Sequence, residues 1–390
     1  MTFPQRSGAD VVIAGGGMIG AACALACAQA GLKTVVVERD LPGGGATAAC
    51  MGHIVVLDDN EAQFALCRRS QQLWQQMQGH LSRRAEFETI GTLWVAEDDE
   101  EMAEAARKQA FLLARDVPGQ LITQHELHTR EPQLRPGLAG GLLVPQDAVV
   151  FPPVAVDDLL KRAQAEGAII RTGAAVLKLA QGEALLSDGS VIQAPRLVNA
   201  LGAEAADCTE GLPVRKRKGQ LAVTDRYPGF LRHQIVELGY MKSAAKLTAE
   251  SVACNVQPRP TGQMLIGSSR QFENEDRHID QRLLARMLQR CAHYLPGLAD
   301  LQVLRVWSGF RASTPDKLPL IGQTGFDATL WLATGHEGLG ITTAPATAEL
   351  LVNALTGREQ VIPITPFLPT RFDALRASTT SSASLQEFTQ

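Results

Sequence analysis

The first forty residues alternate between short apolar runs and one longer stretch of small side chains. The apolar run VVIAG begins at Val11, and residues 18–30 carry the small, apolar side chains of a helix that packs closely on its neighbours. Gly31 follows, where a helix commonly ends, and a second apolar run covers residues 33–38. The pattern predicts strand, helix, strand.

Later segments repeat this alternation and then give way to strands. The apolar periodicity predicts helices at 60–78, 98–115, 154–166 and 280–295, a strand at 92–95, and strand-rich runs at 168–179, 184–194 and 196–202. The Asp188-Gly189 pair marks a hairpin turn. Between Arg217 and Ile266 the runs QLAVTD and QMLIGSS suit antiparallel strands.

A glycine-rich, apolar pattern returns near Trp307. We therefore predict an α/β fold, in which a Rossmann-like βαβ domain of the glutathione-reductase type is interleaved with an antiparallel-sheet substrate domain. The predicted ranges are 1–85, 146–214 and 300–370 for the nucleotide-binding domain, and 86–145 and 215–299 for the substrate domain. Residues 371–390, rich in serine and threonine, are expected to form a loose tail.

The composition gives no support for a nucleic-acid-binding, disulfide-rich or membrane-spanning protein. The chain has 390 residues, 45% of them hydrophobic, and a net charge of -4, so nothing in the overall charge favours nucleic acid or an anionic membrane. Its seven cysteines form no C-x-x-C pair, so we expect neither a metal site nor a disulfide framework. The start lacks a basic signal region and no apolar run approaches about 18 residues, so we expect a cytoplasmic chain without a membrane span.

One short run of the chain consists entirely of basic residues. Residues 215–218 read RKRK, which is short for a nucleic-acid site and has no interleaved aromatic residues. We expect a solvated strand that crosses between domains.

A phosphate-binding motif lies between the first strand and the first helix. Gly15, Gly17 and Gly20 form G-x-G-x-x-G, which lets the backbone turn tightly, approach a pyrophosphate and pack the helix against the strand. Glu38 ends the second strand, where a carboxylate can accept ribose hydroxyls. This set predicts a dinucleotide cofactor.

Two further segments favour FAD over NAD. Residues 42–52 read PGGGATAACMG, a run of small side chains that lets the backbone approach a flat ring and places Thr47 near phosphate. Residues 330–333 form an apolar run that leads into TGHEGLGITTAP and a helix through Leu355. The start of that helix, directed at a flavin, would stabilise the negative charge of the reduced ring.

Five segments taken together resemble the D-amino-acid oxidase family of flavoproteins, which includes glycine oxidase, sarcosine oxidase and D-amino acid dehydrogenases. They are GGGMIG with Glu38, GATAACMG, LVNALG at 197–202, WSGFRASTPD at 307–316 and ATGHEGLGIT at 333–342. Residues 52–63, 312–322 and 335–342 more narrowly resemble the branch that holds the hydrogen cyanide synthase catalytic subunit and the D-hydroxyproline dehydrogenase β subunit.

The resemblance implies a set of FAD contacts beyond the glycine motif. They are Met18, Ile19, Arg39, Ala46, Thr47, Met51, Gly52, His53, Val176 through its backbone beside the adenine, Ala200, Gly202, His336, Gly338, Leu339, Gly340 and Ile341. Relatives with covalent flavin carry a cysteine near the position of Gly309. No cysteine lies there, so we expect noncovalent FAD.

Oxidation of an α-amino acid needs a cation for the carboxylate and a Cα held near the flavin. Arg311 lies in the family's G-x-R segment and offers a bidentate fork. His53 and His336 are candidates for orienting substrate, with a structural role as the alternative, and Glu337 is a candidate for receiving the amine. Gly338 stands where glycine oxidases have a second carboxylate-binding arginine, which weakens the glycine oxidase interpretation.

The sequence therefore predicts a flavin-dependent dehydrogenase of an α-amino or cyclic imino acid, with D-hydroxyproline or a related D-amino acid as substrate. The resemblance also implies partner subunits that carry an iron–sulfur centre and a second flavin, FMN, with peripheral attachment at the inner membrane through them as one option. The alternatives are a stand-alone oxidase that forms hydrogen peroxide and a noncatalytic flavin-binding subunit that relays electrons.

Overall fold

The computed structural model describes residues 6–56, 60–239, 250–272 and 274–373. The helices are α1 (Met18–Gln29), α2 (Glu61–Met77), α3 (Asp99–Leu113), α4 (Gln124–Arg130), α5 (Pro152–Ala165), α6 (Ala205–Cys208), α7 (Gln281–Tyr294) and α8 (Gly340–Thr356). The strands are β1 (Arg6–Gly8), β2 (Val11–Ala14), β3 (Thr34–Glu38), β4 (His53–Ile54), β5 (Thr92–Ala96), β6 (Gln120–Thr123), β7 (Gly140–Val144), β8 (Ala148–Val149), β9 (Ile169–Thr172), β10 (Val176–Ala180), β11 (Glu183–Leu186), β12 (Val191–Gln193), β13 (Leu197–Asn199), β14 (Arg215–Arg226), β15 (Gln234–Glu237), β16 (Glu250–Pro258), β17 (Gln263–Gln271), β18 (Val303–Ser313), β19 (Leu320–Gln323) and β20 (Leu330–Thr334). None of these helices is long and apolar enough to cross a bilayer.

A six-stranded sheet forms the nucleotide-binding part of the molecule. Its strand order is β19-β20-β13-β2-β3-β9, and every neighbouring pair is parallel except β19 with β20. Helices α1, α5 and α8 contribute to the buried apolar cluster against one face, and the four-stranded sheet β1-β12-β11-β10 contributes to the cluster against the other. The predicted α/β fold with a Rossmann-like parallel sheet is confirmed.

A second, eight-stranded sheet has the order β18-β14-β17-β16-β15-β5-β7-β6 and is antiparallel apart from the pair β15 and β5. Helix α7 packs on its outer face, whereas Met51 from the small-residue loop packs on its inner face with Leu221 and Leu265. Strand β18 belongs to this sheet, although the predicted boundaries placed residues 300–370 in the nucleotide-binding domain. The division into domains remains a proposal, in which β18 now belongs to the substrate domain.

Most predicted elements lie within a few residues of the observed ones. Asn60 and Asp98 cap α2 and α3 by accepting hydrogen bonds from Gln63 N and Glu101 N, which explains where these helices begin. Asp188 and Gly189 lie in the hairpin between β11 and β12. Residues 57–59 of the resemblance segment, and the part of the predicted tail beyond residue 373, lie outside the described residues.

The prediction that residues 215–218 are solvated is wrong for half of the run. Arg217 and Lys218 are only 3% and 1% exposed. Strand β14 is an inner strand between β18 and β17, and the low exposure of Arg217 and Lys218 shows that both of its faces are covered there. These side chains can therefore be charged only where they find partners. Lys218 Nζ donates to Asp276 Oδ1 at 2.9 Å and to the carbonyl of His278 at 2.6 Å.

The first turns of α8 depend on α2. Pro345 lies inside α8 and has no N–H, so the carbonyl of Ile341, four residues earlier, lacks its usual helical donor. The indole Nε1 of Trp74 donates to that carbonyl at 3.0 Å. The hydroxyl of Ser70 accepts the next amide, that of Ala346, at 3.2 Å. The buried start of α8 is thereby held in one position.

Replacing Trp74 by Phe should lower the free energy of unfolding by about 1–3 kcal/mol, because the buried Ile341 carbonyl loses its donor. Urea denaturation under saturating FAD measures this loss. Trp331→Phe is the control, since the half-buried Trp331 makes no indole hydrogen bond within the described ranges. Equal losses in both variants would show that ring size alone matters.

Candidate functional site

The glycine motif brings three backbone segments too close together for side chains. Gly15 has a φ of +104°, and a Cβ there would lie 2.6 Å from the carbonyl oxygen of Ala200. A Cβ on Gly20 would overlap the carbonyl oxygen of Gly15. The turn between β2 and α1 therefore requires glycine at both positions.

Glu38 fixes the turn from the neighbouring strand. Its Oε2 accepts from the amide of Gly16 at 2.8 Å, and its Oε1 accepts from the amide of Asp40 at 2.9 Å. This places a carboxylate at the end of β3 beside the glycine turn, where ribose hydroxyls would bind. Arg39 lies at the rim instead, exposed and paired with Asp40 and Glu204.

The N terminus of α1 offers donors to an anion. Gly17 provides no side-chain cap, and the first turn of the helix contains no acidic residue. The Thr47 hydroxyl accepts from the amide of Met18 at 3.0 Å, which leaves its own O–H free to donate outward. This donor set fits a pyrophosphate.

The small-residue loop and the start of α8 are joined by one side chain. The hydroxyl of Thr342 donates to the carbonyl of His53 at 2.9 Å and accepts from the amide of Val55 at 3.2 Å. A Cβ on Gly52 would overlap the carbonyl oxygen of Val150. The structure therefore brings together two segments, at 42–55 and 336–342, that are predicted to surround the flavin.

The two candidate histidines are neutral. Burial lowers the pKa of His53 to about 4 and that of His336 to about 3. His336 Nε2 lies 3.0 Å from the hydroxyl of Thr347 within α8, which favours a structural role. His53 Nδ1 lies 3.1 Å from Nε2 of Gln234, so the imidazole hydrogen belongs on Nε2, which is buried and lies toward the amide of Gln257.

Arg311 lies on the inner face of the large sheet, close to the second flavin segment. Its Nη1 donates to the carbonyl of Ser269 at 3.0 Å, and a Cβ on Gly338 would be 3.5 Å from its Nε. A Cβ on Gly219 would overlap the guanidinium, so glycine is needed beneath it. The Trp307 indole donates to the carbonyl of Ala49 at 3.3 Å, which ties β18 to the small-residue loop.

Glu337 is less available than its predicted role requires. Its Oε1 accepts from Nη1 of Arg217 at 2.8 Å, so one oxygen is held by a buried cation. Its other oxygen, Oε2, is buried and unpaired among the described residues. The backbone of Glu337 has a φ of +50°, and its amide donates to the carbonyl of Ala312, so the loop is fixed beside β18.

A group of polar side chains on the large sheet was missed by the sequence analysis. Asn255 stands opposite Gly267 and Gln257 opposite Leu265, on the face where Met51 packs. Buried polar atoms without a partner in the described part of the chain occur at Ser251 Oγ, Asn255 Oδ1, both amide atoms of Gln257, and Ser268 Oγ. In the sequence, the polar residues at alternate positions near the end of β16, Asn255 and Gln257, could have indicated this group.

The remaining predicted contacts lie at the start of β10 and just after β13. Val176 begins β10, and its carbonyl accepts the thiol of Cys208 at 3.0 Å. Ala200 and Gly202 follow β13, and the Thr334 hydroxyl donates to the carbonyl of Gly202 at 2.9 Å.

The residues present therefore fit FAD: a glycine turn, a ribose carboxylate, an uncapped helix start and two flavin segments. Among the described residues, no three His, Cys, Asp or Glu side chains converge as a metal site would require.

Comparison with known proteins gives a family and several relatives. The family model described as "DAO: FAD dependent oxidoreductase" matches residues 10–354. The hydrogen cyanide synthase subunit HcnC of Pseudomonas aeruginosa is 28% identical, over 93% of this chain and 96% of that protein. The crystal structure of glycine oxidase from Geobacillus kaustophilus superposes with a TM-score of 0.84 at 26% identity, covering 93% of this chain and 99% of that one. The structure of L-proline dehydrogenase from P. horikoshii shares the fold, with a TM-score of 0.84, 23% identity, and coverage of 95% and 99%.

Thr47→Val should weaken FAD binding about tenfold or more, because it removes a hydroxyl that can donate to phosphate and accepts an amide of α1. Thr47→Ser keeps the hydroxyl and should bind FAD nearly as well as the unaltered protein. Titration of apoprotein with FAD, followed by quenching of flavin fluorescence, compares the two. An unchanged affinity in the valine variant would remove Thr47 from the cofactor site.

Proposed function

Because the chain belongs to the DAO family of FAD-dependent oxidoreductases, we propose that it is a dehydrogenase of an α-amino or cyclic imino acid, with D-hydroxyproline or a related D-amino acid as substrate. Relatives whose names state a substrate, glycine oxidase and L-proline dehydrogenase, support an amino or imino acid. The narrower choice rests on the residues described below.

The observation that carries the proposal is the position of Arg311. A half-buried guanidinium lies on the inner face of the large sheet, over Gly219 and next to Gly338 of the second flavin segment. A carboxylate bound there would bring the substrate's Cα to the region between the two flavin segments. A guanidinium binds a carboxylate through paired hydrogen bonds, which fixes orientation as well as position.

The neutral side chains of Asn255, Gln257 and His53 form a polar wall beside this position. This wall favours a substrate with a neutral polar substituent. Asn255 and Gln257 are amides, and His53 is uncharged because burial lowers its pKa to about 4. Neutral groups of this kind can donate to and accept from a hydroxyl, whereas a buried charge would find no counter-ion among these three. A ring hydroxyl such as that of hydroxyproline is one group of the required chemistry.

FAD, when bound, would supply the hydride acceptor, so that loss of hydride from Cα of a neutral amine would leave a protonated imine. The residues of the chain bind and orient the substrate. Arg311 would hold the carboxylate, and the polar wall would hold the substituent. The start of α8, with its free amide groups, would stabilise negative charge beside it. The substrate must arrive with an uncharged amine.

We propose that electrons leave through partner subunits. The support is similarity to HcnC, which is named as a subunit, and the same resemblance is the only support for an iron–sulfur centre and a second flavin on the partners. A stand-alone oxidase that forms hydrogen peroxide is the alternative. A noncatalytic flavin-binding subunit is the alternative from another class.

Anaerobic mixing of the FAD-loaded protein with a panel of D- and L-amino acids should bleach the flavin, and cis-4-hydroxy-D-proline should bleach it fastest. Arg311→Ala should raise the substrate concentration needed by on the order of a hundredfold, because a buried carboxylate loses its cation. Arg311→Lys, which keeps the charge but not the fork, should fall between. Failure of every amino acid to bleach the flavin would favour the noncatalytic subunit.

Oxygen should reoxidise the reduced protein slowly, and an artificial dye should reoxidise it rapidly. Peroxide formation and dye reduction, measured on the same purified sample with the best substrate of the panel, distinguish the two acceptors. Peroxide produced as fast as the dye is reduced would make the protein an oxidase.

A further inference from the structure

Arg217 lies beside Arg311 and was not recognised as a site residue from sequence. The two arginines are direct register partners on the neighbouring strands β14 and β18. Residues paired in this way project from the same face of a sheet, so both side chains lie on the inner face. Arg217 is only 3% exposed, and its guanidinium lies 4.7 Å from the ring centre of Phe272.

One edge of the Arg217 guanidinium is unpaired. Nη1 donates to Glu337 at 2.8 Å, whereas Nε and Nη2 are both buried and have no hydrogen-bond partner in the residues that the structure describes. Elsewhere in this chain the Nε and Nη2 edge binds carboxylates in pairs, as Arg69 does with the two oxygens of Glu349 at 2.7 and 2.6 Å. A buried cation with this edge unpaired is costly unless a ligand completes it.

We propose that the Nε and Nη2 edge of Arg217 binds the carboxylate of the substrate together with Arg311. This inference rests on the proposed function and adds a second substrate-binding arginine to it. Glu337 and Phe272 hold the guanidinium in place through the opposite edge and one face, so that little orientational freedom is lost when the carboxylate binds. The ligand class is a monocarboxylate that carries an amine or imine.

Removing the charge of Glu337 distinguishes a carboxylate-binding role of Arg217 from a structural role, because the two roles predict opposite changes in ligand affinity. If Arg217 only anchored the loop at residues 336–340, removing the charge of Glu337 would loosen that loop and weaken ligand binding. If Arg217 binds the carboxylate, the same change removes a competing negative charge, since the amide oxygen of glutamine can still accept from Nη1. Glu337→Gln should then bind a carboxylate as tightly as the unaltered protein or several-fold more tightly.

The test uses FAD-loaded protein and pyrrole-2-carboxylate, a planar acid that has no hydride to give. Binding is followed by perturbation of the visible flavin spectrum, with the neutral pyrrole-2-carboxamide as the uncharged probe. Arg217→Met should raise the Kd of the acid about tenfold or more and change the Kd of the amide little. Arg217→Lys, which keeps the charge and loses the fork, should lie between. Arg305→Met, at an exposed arginine six residues from Arg311 on the same strand, is the matched control.

FAD content and the circular dichroism spectrum of each variant show whether it is folded, and the lysine variant keeps the test valid if the methionine variant is not. An unchanged Kd in the folded Arg217 variants, with weaker binding in Arg311→Ala, overturns this inference alone. Unchanged binding in Arg311→Ala as well overturns the carboxylate site of the proposed function. Equal weakening in Glu337→Gln and Arg217→Met would also overturn the inference, because Arg217 would then act through the loop.

Discussion

The site depends on the buried start of α8, whose backbone hydrogen bonds are completed by another helix. Helix α8 begins beside both flavin segments, yet Pro345 removes a donor from its second turn. Trp74 and Ser70 of α2 supply the missing donor and the next acceptor. Thr342 then joins the same turn to the loop at 53–55. Together these bonds hold the helix end against α2 and the small-residue loop.

The large sheet adds a second constraint, because its inner face carries charged side chains at buried and half-buried positions. Arg217, Arg311 and Glu337 lie together there, with Phe272 against one guanidinium. Beside them, the buried polar atoms without a partner in the described part of the chain belong to neutral groups, including Asn255 and Gln257. One part of the face thus matches a carboxylate and the other a neutral hydrogen-bonding group, and an amino acid with a polar side chain has both.

Sequence patterns located most elements because their causes are local. The βαβ unit at 11–38 follows from apolar runs, small helical residues and three glycines, and the caps at Asn60 and Asp98 follow from side chains that bond within three residues. The buried run at 217–218 was missed, because its burial depends on the strands that pair with its edges and on the distant segments that cover its faces. Those partners, β17 and β18, are about fifty to ninety residues away in the chain.

The sequence by itself determined the cofactor class and the glycine turn that is predicted to hold the cofactor. A tight turn, a helix start and a ribose carboxylate at the end of a strand all depend on neighbouring residues, so Gly15, Gly20 and Glu38 could be identified from spacing. Only the tertiary structure showed which residues share the inner face of the large sheet, the proposed substrate-binding face. Arg217, Asn255 and Gln257 come from strands that other segments separate, and their relevance depends on which sheet face they share and whether their polar atoms find partners. Pairing register and burial settle both, and neither is a property of local sequence.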